Sequence, residues 1–148
     1  LKEDIPDEEF FRPLEGAEVV REGSDITLIG YNYSVHLCLQ AAQRLEADGI
    51  SAEVLDLRAL KPLDRESIRK SVEKTHRVLV AEEDEAPVGV GAEIMAVITE
   101  DCFYALDAQP VRIHAADVPV PYNAKLEKAA IPSADDVYHG ALKVMGKI

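Results

Sequence analysis

The chain has 148 residues, 47% of them hydrophobic, and a formal net charge of −12. That length suits one domain with a closed core, and no apolar run is long enough to span a bilayer. The negative balance argues against nucleic acid, which needs a basic footprint, and against anionic membrane surfaces.

Residues 1–16, LKEDIPDEEFFRPLEG, are acidic and carry two prolines. They read as a linker arm from a preceding domain, which leaves 17–148 as the globular unit. They do not have the basic, apolar character of a secretory leader. A short strand is predicted at Ala17–Arg21, turning at Glu22-Gly23. Asp25–Tyr31 is a stronger strand, so continuously apolar that it should be covered on both faces. Ser34 is placed to cap a helix running to Asp48. In it Leu37, Cys38, Ala41, Ala42 and Leu45 recur at helical spacing, and Gly49 supplies the stop. The next strand holds Ile50, Ala52, Val54 and Leu57. Pro62 then breaks the chain, and Asp64 caps a helix carrying Ile68 and Val72.

Arg77–Ala81 gives another strand and Ala92–Leu106 a long helix, with Ile94, Met95, Val97, Ile98, Cys102 and Phe103 facing inward. Val111–His114 is the last strand. The closing helix starts at Ser133, with Asp136 as a capping-box partner, and buries Val137, Ala141, Val144, Met145 and Ile148. Strand and helix signals alternate with short turns. The fold class is therefore α/β, with a mostly parallel sheet and helices on both faces. Cys38 and Cys102 sit alone in apolar helical patterns and read as small buried hydrophobes, consistent with a reducing compartment.

The stretch VAEEDEAPVGVGAEIM (Val80–Met95) combines a strand, the glycine pair Gly89 and Gly91, and a helix start. Those are the parts of a phosphate cradle. Yet from Val78 to Gln109 there is no Lys or Arg, against eight acids: Glu82, Glu83, Asp84, Glu85, Glu93, Glu100, Asp101 and Asp107. A phosphate would meet repulsion of about 1 kcal/mol per exposed carboxylate at contact distance in water. The helix dipole returns at most ~2 kcal/mol, so the carboxylates win. Gly-Lys-Ser/Thr is absent, and Ile94 stands where a third glycine would complete the dinucleotide fingerprint. The corner therefore reads as a close-packing turn in which acids satisfy the free N–H groups of the helix.

Other chemistries fare no better. His36, His76, His114 and His139 are scattered without zinc spacing, and the Glu82–Glu85 run reads as a solvated acidic rim. There is no Gly-x-Ser-x-Gly, and neither cysteine has a basic neighbour. A receiver-type phospho-acceptor wants an acidic pair after its first strand, where this chain reads Gly30-Tyr31-Asn32. The segment ADVPVPYNAKLEKAAIPS, with Pro119, Pro121 and Pro132, is stiffened against joining a sheet interior. It suits either a docking surface, with Tyr122 and Leu126 as contact groups, or a plain crossover to the last helix.

Four runs in order, EGSDITLIGY, EVLDLRALKPLD, RVLVAEE…GVGAEI and DVPVPYNAKLE, resemble the C-terminal domain of the β subunit of thiamine-diphosphate-dependent 2-oxo acid dehydrogenases. This is the transketolase C-terminal domain family, and the likeness is greatest to the pyruvate, branched-chain and acetoin dehydrogenase members. The resemblance implies a three-layer fold on a five-stranded, mostly parallel sheet. It also implies an enzyme of α and β subunits that decarboxylates a 2-oxo acid and passes the acyl group to a lipoyl arm. Thiamine diphosphate and magnesium would be held by the full assembly and not by this domain. No catalytic, cofactor or metal residue is carried over, and the isolated domain is expected to be inactive.

The implied partners are the α subunit, a second β subunit and the basic subunit-binding domain of a lipoyl acyltransferase. Glu82, Gly89, Gly91, Glu93, Pro119, Pro121 and Tyr122 are expected subunit contacts, with Asp107 and the Ile148 carboxylate as acyltransferase contacts. The implied location is cytoplasmic, or the mitochondrial matrix in a eukaryote. Many relatives carry His-Glu where this chain reads Ala81-Glu82, so no role of that histidine transfers. A stand-alone acidic binding domain or a receiver-like domain remains the alternative.

Overall fold

The computed structural model describes residues 16–148 together with Asp7 and Glu9, so the expected linker arm lies almost wholly outside the described residues. Five strands form one sheet: β1 (Glu18–Arg21), β2 (Ile26–Gly30), β3 (Ala52–Asp56), β4 (Val78–Glu85) and β5 (Val111–Ala115), in the order β1-β3-β2-β4-β5. β1 runs antiparallel to β3, and the other pairings are parallel. The helices are α1 (Tyr33–Ala47), α2 (Arg65–Thr75), α3 (Val90–Cys102), α4 (Ala124–Ala130) and α5 (Ala134–Val144), with a 3-10 turn at Phe103–Ala105.

The central strand β2 is buried from end to end, as its unbroken apolar run requires. Ile26 and Leu28 pack with α1 and α5 on one face, while Ile29 packs with α2 and α3 on the other. The three-layer architecture expected from the alternating signals is therefore present. The chain leaves β2 toward β3 on one side and returns past β2 to β4 on the other. The sheet thus reverses direction between β2 and β4. In open α/β sheets the crevice beyond such strand ends is the usual ligand position.

Local signals hold in detail at two caps. Asp64 accepts from Ser67 N at 3.0 Å, and its other oxygen accepts from Ser67 Oγ at 2.7 Å and Ala17 N at 3.0 Å. These bonds, the Ser67 hydroxyl first, hold its carboxyl below the usual range. Ser133 and Asp136 form a complete capping box.

Elsewhere the structure differs from expectation. Asn32, at φ 53°, is the residue that precedes α1. Ser34 does not cap it; its hydroxyl donates to Tyr31 O at 2.7 Å and accepts from Tyr31 N at 3.0 Å, closing the turn. α3 begins at Val90 and ends at Cys102, so Phe103 falls on the 3-10 turn and is exposed. Ile148 is exposed beyond the end of α5 and is not a core residue. The proline segment holds a short helix, α4, capped by Asn123.

Polar groups pin α2 to the sheet. Thr27 Oγ1 on β2 lies 2.8 Å from Ser71 Oγ and 2.7 Å from Thr75 Oγ1. Ser71 and Lys74 both donate to Glu53 of β3, which is buried. Charge on this face is satisfied internally, so the strand carries a glutamate without exposing it.

Two outcomes follow from the packing. A methyl group on Gly140 would lie 2.8 Å from Leu79 Cδ1 and 3.0 Å from Ile113 Cδ1. Gly140→Ala should therefore cost about 1–3 kcal/mol in denaturant unfolding. Burial pushes the Cys38 thiol up to about 12, so Cys38 should resist a thiol reagent at pH 8 until the chain is unfolded.

Candidate functional site

β4 continues the rows set by its apolar start, Val78 through Ala81, into Glu82–Glu85. Beyond Ala81 its pairing with β5 shifts register: Ala81 faces Ile113, and Glu85 faces Ala115. Three residues of β4 thus stand against one of β5, a bulge of the kind that re-aims side chains at sheet rims. Glu82 lies in this bulge and is fully buried.

The Glu82 carboxylate is satisfied by three elements. Oε2 accepts from the backbone N–H of Gly91 in the first turn of α3 at 2.6 Å, and from Tyr31 OH just past β2 at 3.1 Å. Oε1 accepts from Arg112 Nε of β5. Arg112 also donates through Nη2 to Val88 O, so one guanidinium ties the carboxylate and the loop before α3 together. Tyr31 OH is also 2.9 Å from Asp84 Oδ2. Burial, then the carboxylates of Asp84 and Glu82, pushes the Tyr31 phenol above its ordinary range.

The glycines are demanded by this carboxylate. A Cβ on Gly91 would sit 2.3 Å from Glu82 Oε1, closer than any side chain tolerates. Gly89, at φ 80°, would place a Cβ 2.8 Å from Arg112 Nη2 and 3.0 Å from Glu82 Oε2. The strand–glycine–helix pattern is therefore a real anion cradle, and the anion in it belongs to the chain. A phosphate does not fit here, because the Gly91 N–H and the space over its α-carbon are already taken.

Four of the eight acids that looked unopposed in the sequence are in ion pairs. Arg112 meets Glu82, Arg65 meets Glu100 and Asp101, and Arg77 meets Asp107 at 3.3 Å. Glu82 is thus no part of a solvated rim, and as an enclosed side chain it cannot itself touch another subunit. Glu83, Asp84 and Glu85 remain on the rim. With Pro87, Val88, Gly89, Val90, Asp117 and Val120 they line an open groove of about 660 Å³.

The structure thus joins the glycine corner to the start of the proline segment, a juxtaposition invisible in the sequence. Glu93, Pro119 and Tyr122 are exposed and Pro121 is half-buried. Asp107 sits in the turn before β5, outside this groove. Its neighbours Leu106 and Ala108 pack in the apolar layers on opposite faces of the sheet, so Asp107 lies at the sheet's end between them. Among the described residues no cluster of three or more His, Cys, Asp or Glu side chains could hold a metal ion.

Sequence reasoning missed Arg112 and Tyr31. The available signal was a single arginine inside the otherwise apolar Val111-Arg112-Ile113, in a strand that could neighbour the one ending in Glu82.

Arg112→Ala leaves the Glu82 carboxylate buried without its cation and should cost about 3–5 kcal/mol of stability. Tyr31 is held protonated in the fold, so its contribution is complete below the ordinary phenol value of ~10 and is lost as pH rises beyond it. A stability–pH profile should therefore fall above about pH 10, and Tyr31→Phe should remove that part of the slope.

Comparison with known proteins adds the lineage. The sequence profile of the family described as "Transketolase, C-terminal domain" matches residues 15–137. The "Pyruvate dehydrogenase E1 component subunit beta" of Porphyra purpurea is 50% identical over 131 residues, covering 88% of this chain and 40% of that protein. The mitochondrial subunit of the same description in Dictyostelium discoideum is 42% identical over 144 residues, covering 97% of this chain and 40% of the relative. This chain therefore spans about two fifths of the length of the curated relatives it matches. A solved split-gene transketolase, described as an inactive β4 tetramer, superposes with a TM-score of 0.79 at 30% identity, over 97% of this chain and 46% of that one. Among the described residues no helix is long and apolar enough to cross a membrane. The sheet order, the profile match and these likenesses agree, and the chain belongs to the transketolase C-terminal domain family.

Proposed function

We propose that this chain is the C-terminal assembly and docking domain of the β subunit of a thiamine-diphosphate-dependent 2-oxo acid dehydrogenase of the pyruvate dehydrogenase type. The observation that carries the reading is the 50% identity to a pyruvate dehydrogenase β subunit over 88% of the chain. In the full assembly the enzyme decarboxylates a 2-oxo acid oxidatively and transfers the acyl group to a lipoyl arm. This domain supports that chemistry without performing it.

The glycine corner does not suit the cofactor's diphosphate. The helix N-terminus that a diphosphate would use is filled by Glu82, and Glu83, Asp84 and Glu85 face the adjoining groove. That misfit supports the reading that thiamine diphosphate and its magnesium ion belong to the full assembly, where the cofactor would supply the carbanion chemistry. Residues 1–16 serve as the arm that joins this domain to the rest of the β subunit.

The groove formed by the corner and the proline segment is the subunit-contact face, with Gly89, Glu93, Pro119, Pro121 and Tyr122 on or beside it. Its partners are the α subunit and a second β subunit. Asp107 and the terminal carboxylate of Ile148 receive the basic subunit-binding domain of the lipoyl acyltransferase. The location is cytoplasmic, or the mitochondrial matrix if the source is a eukaryote.

Two measurements test the reading. The β subunit carrying this domain, co-purified with its α subunit, should decarboxylate pyruvate, and the chain alone should show no turnover. Binding of the acyltransferase module to the assembled enzyme should weaken by an order of magnitude or more between low and high salt. Asp107 is a half-exposed rim charge already near Arg77, so Asp107→Asn should weaken docking by no more than about fivefold. Binding unchanged by salt contradicts the docking assignment.

A further inference from the structure

We infer that the switch-point corner is a built carboxylate-binding site with Glu82 as its resident ligand, and that a free small carboxylate takes the same seat once that side chain is removed. This goes beyond the family reading and does not depend on it.

Three observations carry the inference. The seat lies at the C-terminal ends of β2 and β4, where the sheet reverses direction and where open α/β sheets present ligand crevices. Its donors come from three separate elements and address both oxygens of one planar group. Arg112 Nε serves Oε1, while Gly91 N at 2.6 Å and Tyr31 OH at 3.1 Å serve Oε2. The surrounding backbone is shaped for the same group, since Gly91 has no room for a Cβ beside the carboxylate. None of these features needs the covalent tether from Glu82 to β4. They recognise a carboxylate, and the tether raises its local concentration.

Truncation of Glu82 to alanine removes Cγ, Cδ and the two oxygens. Those four atoms are the heavy atoms of acetate, so acetate is the probe that matches the vacated space. Phosphate, tetrahedral and larger, presents its oxygens less well to this planar arrangement. Arg112 is largely enclosed, so in the variant it lacks a counter-ion until an anion enters. That makes uptake favourable and couples it to stability.

The test is thermal unfolding of the purified chain in sodium acetate and in sodium chloride of equal ionic strength. The melting temperature of Glu82→Ala should rise by about 4 °C when acetate exceeds its dissociation constant tenfold. Phosphate should give a smaller rise, and the unaltered chain should show no difference between the salts. Glu82→Gln fills the seat with a neutral isostere and should gain nothing from acetate. The double variant Glu82→Ala, Arg112→Met, which lacks the cation, should also be indifferent. If Glu82→Ala is unfolded in chloride, acetate should restore its helical circular dichroism. The inference is overturned by a Glu82→Ala chain that stays unfolded in acetate. It is equally overturned by one that responds alike to both salts, or whose response is matched by the double variant.

Discussion

A carboxylate taken out of water at the end of a parallel strand is a costly group, and the corner of this domain is arranged around meeting that cost. Glu82 sits on the bulge of β4, where it meets a backbone donor from α3, a guanidinium from β5 and a hydroxyl from the end of β2. Removing one partner would strand the others, because a buried charge without its counter-ion is far more expensive than the pair. The two glycines follow from the same constraint. Gly91 yields the space the carboxylate occupies, and Gly89 takes the positive φ that turns the loop under Arg112.

The same physics organises the acidic surplus. Pairing cannot change the net charge of −12, but it offsets several of the acids locally. Glu53 is buried beneath α2 and answered by Ser71 and Lys74, and Asp101 is answered by Arg65. What remains concentrated is the rim of Glu83, Asp84, Glu85 and Asp117 around one groove. Burial, and then the charge of Asp84, holds the Glu83 carboxyl above its usual range. The groove is therefore a place where a cationic side chain gains more than it would on an average surface. Anions are kept from the corner first by occupancy and only second by repulsion.

The parts of the fold that depend on local rules were legible in the chain itself. The apolar run of β2, the helical spacing of Leu37 to Leu45 and the caps at Asp64 and Ser133 each depend on residues within a few positions of one another. The misreadings lie where distant contacts decide. Glu82 looked like a surface acid because the arginine that neutralises it stands thirty residues later on another strand. Ile148 and Phe103 looked like core residues because a helical period was carried one turn past the real helix end. α4 was hidden by prolines that lie on either side of it and not within it. The glycine corner was read as a close-packing turn whose acids satisfy the helix N–H groups; that it cradles an anion, and that the anion is Glu82, required the sheet order.

The most direct test is a crystal structure of the chain grown with an excess of pyrophosphate. The account predicts the Glu82 carboxylate on the Gly91 N–H and beside Arg112, with no phosphorus at the corner. Density for a phosphate on that N–H, with Glu82 turned out to solvent, would contradict it.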